Sequence, residues 1–162
     1  MNKSESGGFM KILRDIQRNK FWIPEEIFKE IHATFSMWAI EMIILRDDKI
    51  LLTKAPGASL GKWHLPGGYT FWDEDINLSC RRISEREINL SVKPVKTLGV
   101  YKWEKDEHPY GRPLSVFMLC KPLEKIKESP SVKFFDMKKL PSPMISCQRK
   151  FVESFYNKKN KE

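Results

Sequence analysis

Apolar residues recur at two different spacings along the chain, and the switch between them marks out the elements. Over residues 9–18, Phe9, Ile12, Leu13 and Ile16 fall on one helical face. This predicts a short amphipathic helix after a disordered start at residues 1–8. Such a helix docks on the domain or pairs with a second copy to make a homodimer; a frayed extension with incidental periodicity is the other reading. Pro24 suits a first helical turn, and Ile27, Phe28, Ile31 and Phe35 supply the next buried stripe. His32 lies near that stripe and reads as a packing or surface histidine. At residues 36–45 the pattern changes to a nearly unbroken apolar run of Met37, Trp38, Ala39, Ile40, Met42, Ile43 and Ile44. A strand covered on both faces has that composition. Arg46, Asp47, Asp48 and Lys49 make a hairpin turn, and residues 50–54 return as the partner strand.

Residues 61–90 carry the densest signal. Bulky residues alternate up to Phe71 around the adjacent Gly67 and Gly68, and helical spacing follows from Asp73. This predicts a strand, a sharp glycine turn that leaves a carbonyl bare, and a helix over residues 74–88. Asp73 is the expected N-cap and Asn89 the expected stop. Two more strands are predicted at 95–103 and 113–121, joined by a charged hairpin that contains His108, Tyr110 and Arg112. A polar connection at 123–132 leads to a closing strand around Phe134 and Phe135. Ile145, Phe151, Val152 and Phe155 mark a terminal amphipathic helix. The expected organisation is an N-terminal extension at 1–23, one domain at 24–157 and a charged tail at 158–162.

Composition narrows the class. A chain of 162 residues with 41% hydrophobic and 12% aromatic content fits one domain with a real core. No apolar run reaches the roughly 18 residues of a membrane span, and residues 1–8 lack a signal-peptide apolar region. Cys80, Cys120 and Cys147 are scattered, as expected of reduced cytoplasmic thiols. The net charge of +8 favours anionic ligands. Much of that excess lies in Lys11, Arg14, Arg18 and Lys20 at one end and Lys158, Lys159 and Lys161 at the other. Scattered lysines are a solvated surface more often than a groove, which argues against dedicated nucleic-acid binding.

Several polar residues stand out. Glu41 interrupts the apolar strand, so its carboxylate must find an ion-pair partner or face a substrate cavity. Lys54 and Arg112 are candidate phosphate contacts, and Tyr110 could stack on a base. Plain loop roles for Tyr110 and Arg112 are the alternative. His64 enters the glycine turn and reads as structural.

Gly68, Glu74, Arg82, Glu87 and Leu90, preceded by Leu65, Pro66 and Gly67, match the spacing of the Nudix box, and the chain resembles the Nudix hydrolases on these residues. Three glutamates on one helix face normally gather divalent metal there. Their positions here hold Ile83, Arg86 and Glu87, and Ser84 and Asn89 also depart from the box. This degenerate pattern is similar to the GDP-mannose mannosyl hydrolase branch. That resemblance implies one Mg²⁺, with Mn²⁺ as the substitute, held by the Gly67 carbonyl and Glu87. It implies water attack at an anomeric carbon of a nucleotide sugar, with a nucleoside diphosphate leaving. Glu74 and Arg82 are then the ion pair that orients Glu87. Arg86, on the metal face, is a candidate for neutralising substrate charge, and Glu41 lies where the branch has an acidic substrate contact. Glu128 precedes Phe134 where many Nudix enzymes place a late carboxylate. It is a candidate second metal ligand or general base, or else one of several solvated loop charges. The branch uses a histidine in that loop, and this chain has none there.

The fold expected is α/β, a mixed central sheet between helices, with the box helix on one side and the terminal helix on the other. A pyrophosphatase attacking phosphorus and a nucleotide-binding module without turnover are the alternatives.

Overall fold

The computed structural model describes residues 3–18, 23–54, 61–104, 107 and 111–159. Its organising element is strand β1 (Trp38–Arg46), the apolar run identified above. Apolar side chains on both faces require cover on both sides, so β1 lies inside the sheet. One edge pairs in parallel with β5 (Leu114–Pro122), from Trp38 opposite Leu114 to Ile44 opposite Cys120. The other edge is shared. Near its start β1 meets β3 (Gly67–Tyr69), with Glu41 opposite Gly67. Near its end it meets β2 (Lys49–Thr53) through a tight hairpin in which Asp47 takes a φ of 55°.

β4 (Val92–Lys102) flanks β5, and β6 (Val132–Asp136) flanks β2, giving the order β4-β5-β1-β2-β6. Alternate side chains of β1 feed two cores. Ile40, Met42 and Ile44 pack with Leu51 against Cys80 and Ile83 of helix α3 (Ile76–Ile88). Ile43 packs with Ile50, Leu52 and Phe117 against Val152 of helix α4 (Ser146–Lys159). Phe117 and Phe151 stack in parallel at 3.6 Å between ring centroids, which fixes α4 to β5. The mixed sheet between helices is the α/β architecture expected.

The structure differs from expectation in four places. Asp75, not Asp73, caps the box helix. Its side chain accepts from the Leu78 amide at 2.8 Å, the N3 geometry that Asp73 lies two residues too early to reach. Glu74 is thereby left outside the helix. Gly67 and Gly68 lie in extended strand, and among the described residues the positive-φ glycines are Gly61 and Gly111. The two strand glycines serve clearance: a Cβ at Gly67 would fall 2.3 Å from Glu41 Oε2, and one at Gly68 would fall 2.7 Å from Arg86 Nη2. Third, helix α1 spans Lys3–Arg18. It starts earlier than predicted, with Glu5 complementing the helix dipole in the first turn. α2 (Glu25–Thr34) follows Pro24, and α4 runs into the segment expected to be tail. Pro56, Gly57, His108 and Tyr110 lie outside the described residues.

Candidate active site

The site forms where the shared edge of β1 passes from β3 to β2, roofed by α3. Two ties hold its parts in place. The first is Arg82 with Glu74. Arg82 Nε donates to Glu74 Oε1 at 2.6 Å and Nη2 donates to Oε2 at 2.7 Å, with side chains only 12% and 4% exposed. Arg82 Nη2 also donates to the Tyr69 carbonyl at 2.8 Å, and its guanidinium lies 4.2 Å from the Phe71 ring centroid. Glu74 Oε2 accepts from Ser79 Oγ and from the Phe71 amide. One buried bidentate pair thus joins β3, the loop after it and the first turns of α3. Burial alone would push the Glu74 carboxyl up. Hydrogen bonds from Arg82 and Ser79, the Arg82 charge and the Phe71 amide outweigh it and hold the pKa below the ordinary value.

The second tie surrounds Glu41. Ser115 Oγ lies 3.0 Å from Glu41 Oε1, and Gln148 Nε2 donates to Oε2 at 2.8 Å. Trp103 Nε1 donates to Ser115 Oγ, and Gln148 Oε1 accepts from the Leu65 amide, both at 2.8 Å. Burial pushes the Glu41 pKa up to about 8; the Ser115 hydrogen bond opposes this and the nearby Glu87 carboxylate reinforces it. At neutral pH Glu41 is therefore chiefly the neutral acid. Sequence reasoning found Glu41 but not its cage. Gln148 did leave a signal, as an amide on the same helical stripe as Phe151, Val152 and Phe155.

Between the two ties lie Gly67, Arg86 and Glu87. Arg86 donates to Glu87 Oε1 from Nε at 3.1 Å and from Nη2 at 2.9 Å, and Nη2 also reaches the Gly67 carbonyl at 3.2 Å. The carbonyl and the carboxylate thus converge on one cationic centre. Glu87 Oε2 is buried with no hydrogen-bond partner among the described residues. A backbone carbonyl and a carboxylate, one of whose oxygens is buried and unpartnered, suit one hard divalent ion. Among the described residues no three histidines, cysteines or acidic residues gather into a metal cluster.

The remaining sequence candidates have other surroundings. Lys54 is exposed, with Nζ 4.8 Å from the Trp63 ring centroid. It follows Thr53, whose hydroxyl donates to the Glu87 carbonyl, so it borders the site. His64 donates from Nδ1 to the Leu65 carbonyl. Arg112 is exposed, and its carbonyl accepts from Ser36. Glu128 Oε1 accepts from Arg46 at 3.2 Å and Oε2 from the Phe134 amide at 3.2 Å.

The NUDIX domain family model matches residues 37–155, which contain this whole arrangement. The chain belongs to the Nudix family of hydrolases. No curated protein sequence matches it significantly. Solved structures give the same fold at low identity. A Nudix hydrolase from Nitrosomonas europaea is 20% identical, with a TM-score of 0.64 over 77% of this chain and 72% of that one. A UDP-X diphosphatase is 18% identical, with a TM-score of 0.61 over 98% of this chain and 83% of that one. A bifunctional NMN adenylyltransferase/ADP-ribose pyrophosphatase from Francisella tularensis, complexed with AMP and a manganese ion, is 17% identical. Its TM-score is 0.62 over 81% of this chain and 45% of that one. Among the described residues of this Nudix chain, no helix is long and apolar enough to cross a membrane.

Proposed function

We propose that this Nudix protein hydrolyses a nucleoside diphosphate derivative, with a nucleotide sugar as the substrate class, using one divalent ion. The observation that carries the reading is the convergence of the Gly67 carbonyl and Glu87 on a single cation position. Those two groups would hold Mg²⁺, or Mn²⁺ in its place. When bound, the ion neutralises the diphosphate and improves it as a leaving group. Arg82 and Glu74 position the helix that carries Glu87. Arg86, Lys54 and Arg112 supply positive charge for the phosphates, and Glu41 sets the polarity behind Gly67 for the substrate. Glu128 stays the candidate second ligand or general base of this reading; its exposed carboxylate also accepts from Arg46 and the Phe134 amide.

The Arg82-Ile83-Ser84 run of the box, with Glu87 as the remaining glutamate, supports water attack at the anomeric carbon of a GDP-mannose-like substrate. The names of the diphosphatase and pyrophosphatase neighbours support attack at phosphorus as the second reading. Arg86 beside the metal donors supports a third, a nucleotide-binding module of weak turnover.

Turnover of a nucleotide-sugar panel in ¹⁸O-labelled water, with and without Mg²⁺, separates the three. Label in the free sugar is the expected result. Label in phosphate transfers the assignment to a pyrophosphatase, and the absence of Mg²⁺-dependent product across the panel removes the enzyme reading.

A further inference from the structure

Residues adjacent in a helix project about 100° apart and do not normally face each other. Arg86 nevertheless folds back over its own neighbour, with two nitrogens on Glu87 Oε1 and one of them also on the Gly67 carbonyl. Its side chain is 48% exposed, so solvation does not force it inward. Gly68 makes the pose available: a side chain there would stand 2.7 Å from Nη2, in the space the guanidinium fills. The nitrogen thus holds the two oxygens assigned to the metal. It neutralises a carboxylate that is 5% exposed and lies near Glu41, where an uncompensated charge is costly.

We propose that Arg86 is a built-in competitor for the divalent ion, occupying the metal's donors in the empty site and moving away from them when the ion binds. This rests on the assignment of one ion to Gly67 and Glu87. The exchange makes metal affinity depend on a residue that is not a ligand. The empty site stays charge-balanced, and the ion binds more weakly than its donors alone would allow. The exposed guanidinium has open solvent to move into.

The test is direct Mn²⁺ binding by electron paramagnetic resonance on the full chain, compared across four proteins. Arg86→Met removes the competing charge, and its Mn²⁺ affinity is expected to rise about tenfold, the scale of one unit charge beside a divalent ion at a partly exposed site. Gly68→Ala keeps the charge but displaces the guanidinium. Its nearest obstacle is the flexible end of Arg86, so the fold is expected to survive and the affinity to rise again. Glu87→Gln is the control for the site itself, and is expected to lose Mn²⁺. If Glu87→Gln loses Mn²⁺ while Arg86→Met and Gly68→Ala bind it no more tightly than the unmodified protein, the competitor role is overturned and the metal site stands. If Glu87→Gln binds Mn²⁺ undiminished, the site assignment fails, and the competitor role with it. Circular dichroism on each variant checks that the fold is retained.

Discussion

Replacing Glu74 by glutamine removes one charge and almost no volume, so its cost reads the ion pair and not packing. Glu74 accepts four hydrogen bonds: two from Arg82 at 2.6 and 2.7 Å, one from Ser79 at 2.9 Å and one from the Phe71 amide at 3.3 Å. A glutamine presents one oxygen and one NH₂. Whichever way it turns, the NH₂ faces a guanidinium nitrogen, and a charge-assisted bond worth about 1.5–3 kcal/mol is lost. Arg82, 12% exposed, keeps one neutral bond to the amide oxygen, the Tyr69 carbonyl and the Phe71 ring. Breaking a buried pair from one side costs roughly 3–5 kcal/mol, so a loss of about 3 kcal/mol is expected at neutral pH, a large share of the roughly 5–15 kcal/mol of a typical domain.

The pH dependence has a definite sign. The folded pKa of Glu74 lies below 4.5, so its contribution is present above 4.5 and is lost as pH falls through the folded value. Urea denaturation of both proteins from about pH 7 down to about pH 3 should therefore show midpoints that differ widely at neutrality and converge in acid. A gap under about 1 kcal/mol at neutrality, or one that persists unchanged into acid, would refute the assignment of this pair as the tie between β3 and α3.

Three further outcomes follow from the same geometry. Glu87→Gln should lose most turnover on any substrate of the panel while melting like the unmodified protein; unchanged turnover would place the site elsewhere. Glu41→Gln should mimic the neutral acid, with its oxygen toward Gln148 and its NH₂ toward Ser115. Because the folded pKa of Glu41 is raised from 4.5 to about 8, ionisation favours the unfolded chain. The unmodified protein should lose about 3 kcal/mol relative to the variant between pH 4.5 and 7. Urea titrations in chelator would measure it, and parallel pH profiles would contradict it. Asp75→Ala should destabilise by about 1 kcal/mol in thermal melts through loss of the bond to the Leu78 amide, whereas Asp73→Ala should not act through helix capping.

What the sequence made legible was periodic or spaced. The run from Met37 to Ile44 could only be a strand covered on both sides, and it is the centre of the sheet. The spacing from Gly68 to Leu90 placed α3 against β3, where Arg86 of the helix reaches the Gly67 carbonyl of the strand. The cap was misplaced because Asp73 and Asp75 are chemically identical candidates, and only the loop path decides which oxygen reaches an amide three residues on. Ser115 and Gln148 were missed for a different reason. They lie 74 and 107 residues from Glu41, and no local rule pairs a buried carboxylic acid with donors that distant.

The two glycines separate what the sequence motif merges. As a motif, Gly67 and Gly68 look like one flexible turn. In the structure each lacks a side chain for its own reason, Gly67 to admit Glu41 and Gly68 to admit Arg86. They therefore face different consequences of substitution. An alanine at Gly67 meets a caged, fully buried carboxyl and the Ile40 carbonyl at 2.9 Å, neither of which can retreat. An alanine at Gly68 meets the mobile end of an exposed arginine. The same change at neighbouring positions should damage the fold in one case and retune the site in the other. A protein in which both substitutions unfolded the chain equally would show that Arg86 is fixed in place, and a fixed guanidinium cannot exchange with a metal ion.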